Sequence, residues 1–360
     1  AGPALVAGRA GHVGGGQAGR TMTRARPISE VLASARAGDE LGAPFGTPVV
    51  VVDLDVPFDG AEAAMATALL AQAPVVVIGA CASARSVPED LVDVLVCASG
   101  PAPRPWVVGD VDDLVDAIEG SPSASVAAAQ LLRTGAVIDV ADAVVAESFV
   151  YSLLQAGPDH QRWLAEHGRT DRRSQPDHAV VVRRAGDRLE VVLDRPEVRN
   201  AYGTRMRDQL CAALSVAESD PSIGLVELSG TGPVFCSGGD LDEFGTSPGP
   251  VPAHLVRTTR NAGIALSRIS ERVVARVHGR CVGAGVELPA FAGRVVAASD
   301  ATFRLPEVAM GLVPGAGGTA SIPRRIGRHR ALWLTLTGVE LELERALEWG
   351  LVDAIDGGAR

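Results

Sequence analysis

Three short stretches of the 360-residue chain combine small residues with carboxylates in a pattern that could do chemistry. They are GTGPVFCSGGDL over 230–241, CVGAGVEL over 281–288, and RLPE over 304–307 running on into GLVPGAGGT over 311–319. Small residues let a ligand approach backbone amides closely. The second stretch follows a strand-like run and opens a helix, so its free N–H groups can meet an oxyanion. Glu287 and Glu307 lie twenty residues apart in the second and third stretches. Taken singly, each reads as a first-turn carboxylate that complements a helix dipole. Cys236 and Ser237 have no histidine in their motif to activate them, so both read as small lining residues. Asn200 and His278 read as structural, and Tyr202, one of two tyrosines, as a candidate pocket wall.

Composition excludes several chemistries. All 33 basic residues are arginine, so there is no lysine for a Schiff base, a cofactor anchor, a phosphate-loop contact or a Ser–Lys dyad. A net charge of −10 argues against a nucleic-acid or anionic-membrane surface. The five cysteines are scattered without a CxxC pair, so neither a disulfide framework nor a metal site is expected. No apolar run is long enough to span a bilayer, and the N-terminus lacks the order of a signal peptide, so a cytoplasmic location is expected. A GxGxxG match at Gly14 to Gly19 has neither a strand before it nor an apolar helix after it, and the dinucleotide reading fails on that context.

These stretches need elements to hold them. Residues 1–44 read as a mobile leader. Strands are expected at 49–54, 74–78 and 91–97 with a helix at 61–72, followed by helices at 111–119, 122–133, 140–155 and 159–167. The polar run GRTDRRSQPD at 168–177 is the domain boundary. Beyond it come a hairpin (178–183 with 188–193), a helix at 204–219, a strand at 224–229 and a helix at 251–269. Strands at 273–277, 295–299 and 301–304 and helices at 320–326 and 330–336 complete an alternating α/β block.

Together with LDRPEVRNA at 193–201, the three stretches resemble the enoyl-CoA hydratase/isomerase (crotonase) family over about residues 178–355. The resemblance implies a crotonase spiral of ββα units and a homo-oligomer, a trimer or hexamer. It implies an oxyanion hole from the backbone N–H groups of Ser237 and Ala284, and a catalytic pair, Glu287 and Glu307. Arg195, Arg199, Ala201, Gly238, Gly239, Asp240, Leu241 and Gly315 would contact substrate, an acyl-CoA, with the phosphates met by Arg195 or Arg199. No cofactor or metal is implied. Both glutamates together go with hydration of a 2-enoyl-CoA. The alternatives are an isomerase, another acyl-CoA lyase, hydrolase or oxygenase, or a non-catalytic acyl-CoA-binding subunit.

Two departures from that family are linked. The block at 176–360 stops where members continue into a helical tail, and 121–167 looks like that tail placed ahead of the block. Residues 45–170 are therefore expected to be a degenerate crotonase-like copy whose helices pack onto the active one.

Overall fold

The computed structural model describes residues 24–36, 46–71, 73–167 and 178–357. In the N-terminal half the order is α1 (Ile28–Arg36), β1 (Val49–Asp53), α2 (Gly60–Leu70), β2 (Val76–Cys81), β3 (Val94–Cys97), β4 (Val107–Val108), α3 (Val111–Gly120), α4 (Pro122–Gly135), α5 (Val140–Gln155) and α6 (Pro158–His167). The four strands form a parallel sheet in the order β1-β2-β3-β4. Val-rich runs suit this, because a parallel sheet covered on both faces buries every side chain. Alternate residues feed two cores. Val50, Val52, Val77 and Leu95 pack with Ile28, Leu32 and Leu70 of α1 and α2. Val49, Val51, Ile78 and Val96 point the other way, into a core continuous with the C-terminal half.

That half runs β5 (Val180–Ala185), β6 (Arg188–Leu193), α7 (Thr204–Ser219), β7 (Leu225–Gly230), α8 (Pro250–Thr259), α9 (Ala262–Arg268), β8 (Val273–Val277), β9 (Arg280–Val282) and α10 (Ala284–Glu287). It continues through β10 (Arg294–Ala297), β11 (Thr302–Arg304), α11 (Gly318–Ile326), α12 (Arg328–Thr337), β12 (Leu341–Glu342), α13 (Leu343–Trp349) and β13 (Ala354–Ile355). A six-stranded sheet has the order β13-β10-β8-β7-β6-β5, and a three-stranded sheet the order β12-β11-β9. Only the β5–β6 hairpin breaks the parallel run of the larger sheet. It sits at the edge, where a tight turn can join neighbours.

The halves are joined by packing and by hydrogen bonds to backbone. α4 and α5 lie on α11, and α3 and α4 lie on α12. Arg330 donates to the carbonyl of Ala102 at 2.9 Å, Arg324 to that of Ile138 at 2.7 Å, and His160 Nδ1 lies 2.9 Å from the Met310 carbonyl. The helices α4, α5 and α6 thus pack against the C-terminal half.

Three expectations need correction. The leader assigned to 1–44 contains α1, whose Ile28, Val31 and Leu32 are buried and whose approach is pinned by the Arg26–Val52 bridge. The single helix at 251–269 is two, because Asn261 turns the chain and caps α9 with its side chain on the Ile264 amide at 2.9 Å. β4 went unread, being only two residues long. Residues 168–177 and the GxGxxG match lie outside the described residues.

Candidate active site

Pairing of strands brings the motifs together. β9 pairs with β11 from Arg280 opposite Thr302 to Val282 opposite Arg304. The Gly283 amide extends that ladder by donating to the Arg304 carbonyl at 2.9 Å. The chain then turns into α10 with Gly283 at φ +49, in the left-handed range that glycine adopts without a Cβ penalty. A Cβ at this position would also strike the Glu307 carboxylate. The glycine therefore serves both the turn and the close approach of Glu307. The Val282 amide donates to the Cys236 carbonyl at 3.1 Å, which seats the second motif on the first.

The resulting loops line one cavity. Glu287, Glu307, Ala284, Gly239, Asp240 and Gly315 face it, and so does Tyr202. Glu287 is buried and Glu307 half-buried, and they are held differently. Glu287 is 2 % exposed and accepts from the amides of Ala316 at 2.7 Å and Gly318 at 2.8 Å. Burial pushes it up to about 7, and the amides oppose that rise. Glu307 has no comparable support: its Oε2 is buried without a hydrogen-bond partner among the described residues. Burial first, and the charge of Glu287 second, hold it well above the ordinary carboxylate range. One carboxyl is thus set to accept a proton and its neighbour to keep one, an arrangement suited to paired acid–base work.

The structure corrects several assignments. The Ser237 amide is already used, donating to the Arg199 carbonyl at 3.0 Å, so it is not free for an oxyanion. Two positions on, Gly239 forms a parallel bridge with Tyr202 in which Tyr202 bonds the flanking Gly238 and Asp240. That leaves the Gly239 N–H pointing away, on the cavity wall, with no acceptor among the described residues. Ala284 likewise has a free N–H at the start of α10. Arg195 is only 2 % exposed and lies 3.5 Å from Asp240. It is a buried partner of Asp240, not a surface site for phosphate. Ala201 and Gly238 lie off the cavity wall, and Leu241 is exposed beside it. Arg199 is exposed and also lies off the cavity wall.

Sequence reasoning missed three residues. Glu147 of α5, 1 % exposed, accepts from the Gly317 amide at 2.7 Å, the Thr319 amide at 2.9 Å and the Thr319 hydroxyl at 2.7 Å. The turn at 316–319 therefore gives alternate amides to two carboxylates, one from each half of the chain. Burial, with the Glu287 charge adding to it, pushes Glu147 up to about 8. A lone carboxylate on the buried stripe of α5, between Val144 and Ser148, was the available signal. Tyr151, one turn further on, lies so close to Gly315 that a Cβ there would hit its ring. Arg257 of α8 sits over that ring, 4.5 Å from its centre. Both line the cavity.

The C-terminal half of the chain is similar to known proteins. The family described as enoyl-CoA hydratase/isomerase matches residues 187–359. The 1,2-epoxyphenylacetyl-CoA isomerase of Escherichia coli is 35% identical over 46% of this chain and 64% of its own length. The 2,3-dehydroadipyl-CoA hydratase of the same organism is 33% identical over 49% of this chain and 68% of its own. A crystal structure of enoyl-CoA hydratase from Thermoplasma volcanium is 32% identical, with a TM-score of 0.46, over 50% of this chain and 72% of that one. The chain therefore spans about two thirds of the length of the relatives it matches, and about half of it lies outside each match.

Proposed function

The chain belongs to the enoyl-CoA hydratase/isomerase family, and from that premise we propose that it hydrates a 2-enoyl-CoA. The observation that carries this reading is the unequal setting of Glu287 and Glu307 on one cavity wall. Hydration needs one group to take a proton from water and another to deliver one to carbon. Glu287, held by two amides, takes the proton as the water oxygen bonds to C3 of the enoyl group. The electrons of the 2,3 double bond move onto the thioester oxygen as an enolate. The N–H groups of Gly239 and Ala284 receive that charge, each donor of this kind contributing about 3 kcal/mol. Glu307, protonated at rest, then gives its proton to C2. Arg199, with Arg207 and Arg260 at the cavity, supplies the charge that the coenzyme phosphates call for in a chain without lysine.

The family resemblance further carries a homotrimer or hexamer; the cytoplasmic location rests only on the sequence reading of no bilayer-spanning run and no signal peptide. Light scattering tests the first. No helix among the described residues is long and apolar enough to cross a membrane.

The decisive experiment replaces each glutamate singly with Gln and follows hydration of short 2-enoyl-CoA substrates. Both variants should lose on the order of a hundredfold or more in kcat. Unchanged hydration by either variant would remove that glutamate from the mechanism, and a product that carries a shifted double bond and no added water would instead indicate an isomerase.

A further inference from the structure

The cavity holds three arginines, and they are not equivalent. Arg207 and Arg260 each reach Asp208, at 2.8 Å and 3.0 Å. Arg257 has no carboxylate within ion-pair distance among the described residues. Its guanidinium donates to neutral oxygens of α5 only: Ser148 Oγ at 3.3 Å, Gln155 Oε1 at 3.2 Å and Ser152 Oγ. The closest charged influence on it from that helix is Glu147, which is committed to the 317–319 amides and driven by burial toward its neutral form. A half-buried cation with only neutral partners keeps most of its desolvation cost uncompensated. Planar guanidinium groups recover that cost best from a carboxylate taken edge-on.

The position of Arg257 says which part of a ligand it would meet. Tyr151 touches Gly315 on the side of the glutamates and carries Arg257 on its ring face. The cation therefore stands one aromatic ring beyond the reacting carbons, along the wall that an acyl chain would follow. We propose that Arg257 reads a carboxylate at the far end of the acyl chain, so that the preferred substrates are ω-carboxyacyl-CoA thioesters. This rests on the acyl-CoA reading above and adds to it the class of acyl group.

Binding separates the two ideas without relying on turnover. Adipyl-CoA and hexanoyl-CoA have the same chain length and differ by the terminal carboxylate. Calorimetry on the full chain should find adipyl-CoA tighter by on the order of tenfold, and in Arg257→Met the ratio of the two should fall to about one. Arg257→Lys, which keeps the charge but not the fork, should fall between. S-hexanoyl-pantetheine, which lacks the coenzyme phosphates, is the third ligand. Equal affinity of the wild-type chain for adipyl-CoA and hexanoyl-CoA overturns the proposal while leaving the hydratase reading intact. Weaker binding of hexanoyl-CoA but not of the pantetheine thioester in Arg257→Met would reassign the cation to a phosphate and also overturns it. Failure of both acyl-CoA ligands to bind overturns the acyl-CoA reading and this inference together.

Discussion

The two halves of the chain each build a mainly parallel sheet, yet their strand ends are put to different use. In the C-terminal half, β7, β9 and β11 run out into glycine-rich turns that present amides and carboxylates to a cavity. In the N-terminal half, the face of β1 to β3 that carries Val49, Ile78 and Val96 is spent on a core shared with the other half. Its chemistry comes instead from α5, which lends Glu147 and Tyr151 to a site whose motifs all lie elsewhere. A segment can thus supply groups to a site while carrying none of its motifs, because a motif marks a local run of residues and not the groups packed against it from elsewhere.

The strongest way to break this comparison is to remove the N-terminal half. Deleting residues 1–170 would uncover the faces of α11 and α12 that α3, α4 and α5 bury, and leave the Gly317 and Thr319 amides without their carboxylate. The remainder should be insoluble or inactive, as seen by soluble yield and enoyl-CoA turnover. A soluble, fully active fragment would show that the first half is an appendage.

Glu147 tests the same point with one side chain. Glu147→Ala strips three buried donors of their acceptor, at about 1 kcal/mol or more each, and frees the turn that holds Glu287. We expect a fall in melting temperature and roughly a tenfold fall in kcat. Glu147→Gln keeps the shape and separates packing from charge. The native carboxyl is raised from an ordinary 4.5 to about 8. It therefore contributes stability fully below pH 4.5 and loses that contribution as pH climbs through about 8. The Gln variant should show a flatter decline in melting temperature over that window. Parallel curves for the two proteins would remove Glu147 from the titration.

The smallest effect sharpens the contrast within one loop. Arg199→Ala, at an exposed position, should raise KM for a CoA thioester by about threefold, less at high salt, with the fold unaffected. Arg195→Ala removes the buried partner of Asp240 and should lower the melting temperature by several degrees. The reverse pattern would restore Arg195 as the phosphate contact.

The sequence was most legible where function uses local geometry. The hairpin, the α7 helix and the order of the three glycine-rich turns follow from periodicity and turn residues. The glutamate pair came from the motifs' resemblance to a known family. It was least legible where a group's role depends on a neighbour distant in the chain. The spent amide of Ser237 depends on a carbonyl at Arg199, and the buried state of Arg195 on Asp240, which no local pattern announces.

By itself, the sequence determined the alternating α/β architecture and the absence of lysine, since both are matters of residue type and spacing along the chain, while the candidate glutamates came from its resemblance to a known family. Only the tertiary structure decided which amides are free, which arginine lacks a counter-ion, and that a helix near residue 147 completes the site. Hydrogen bonding and burial are properties of what surrounds an atom, and here the surroundings come from segments more than a hundred residues apart, Glu147 meeting the amides of Gly317 and Thr319.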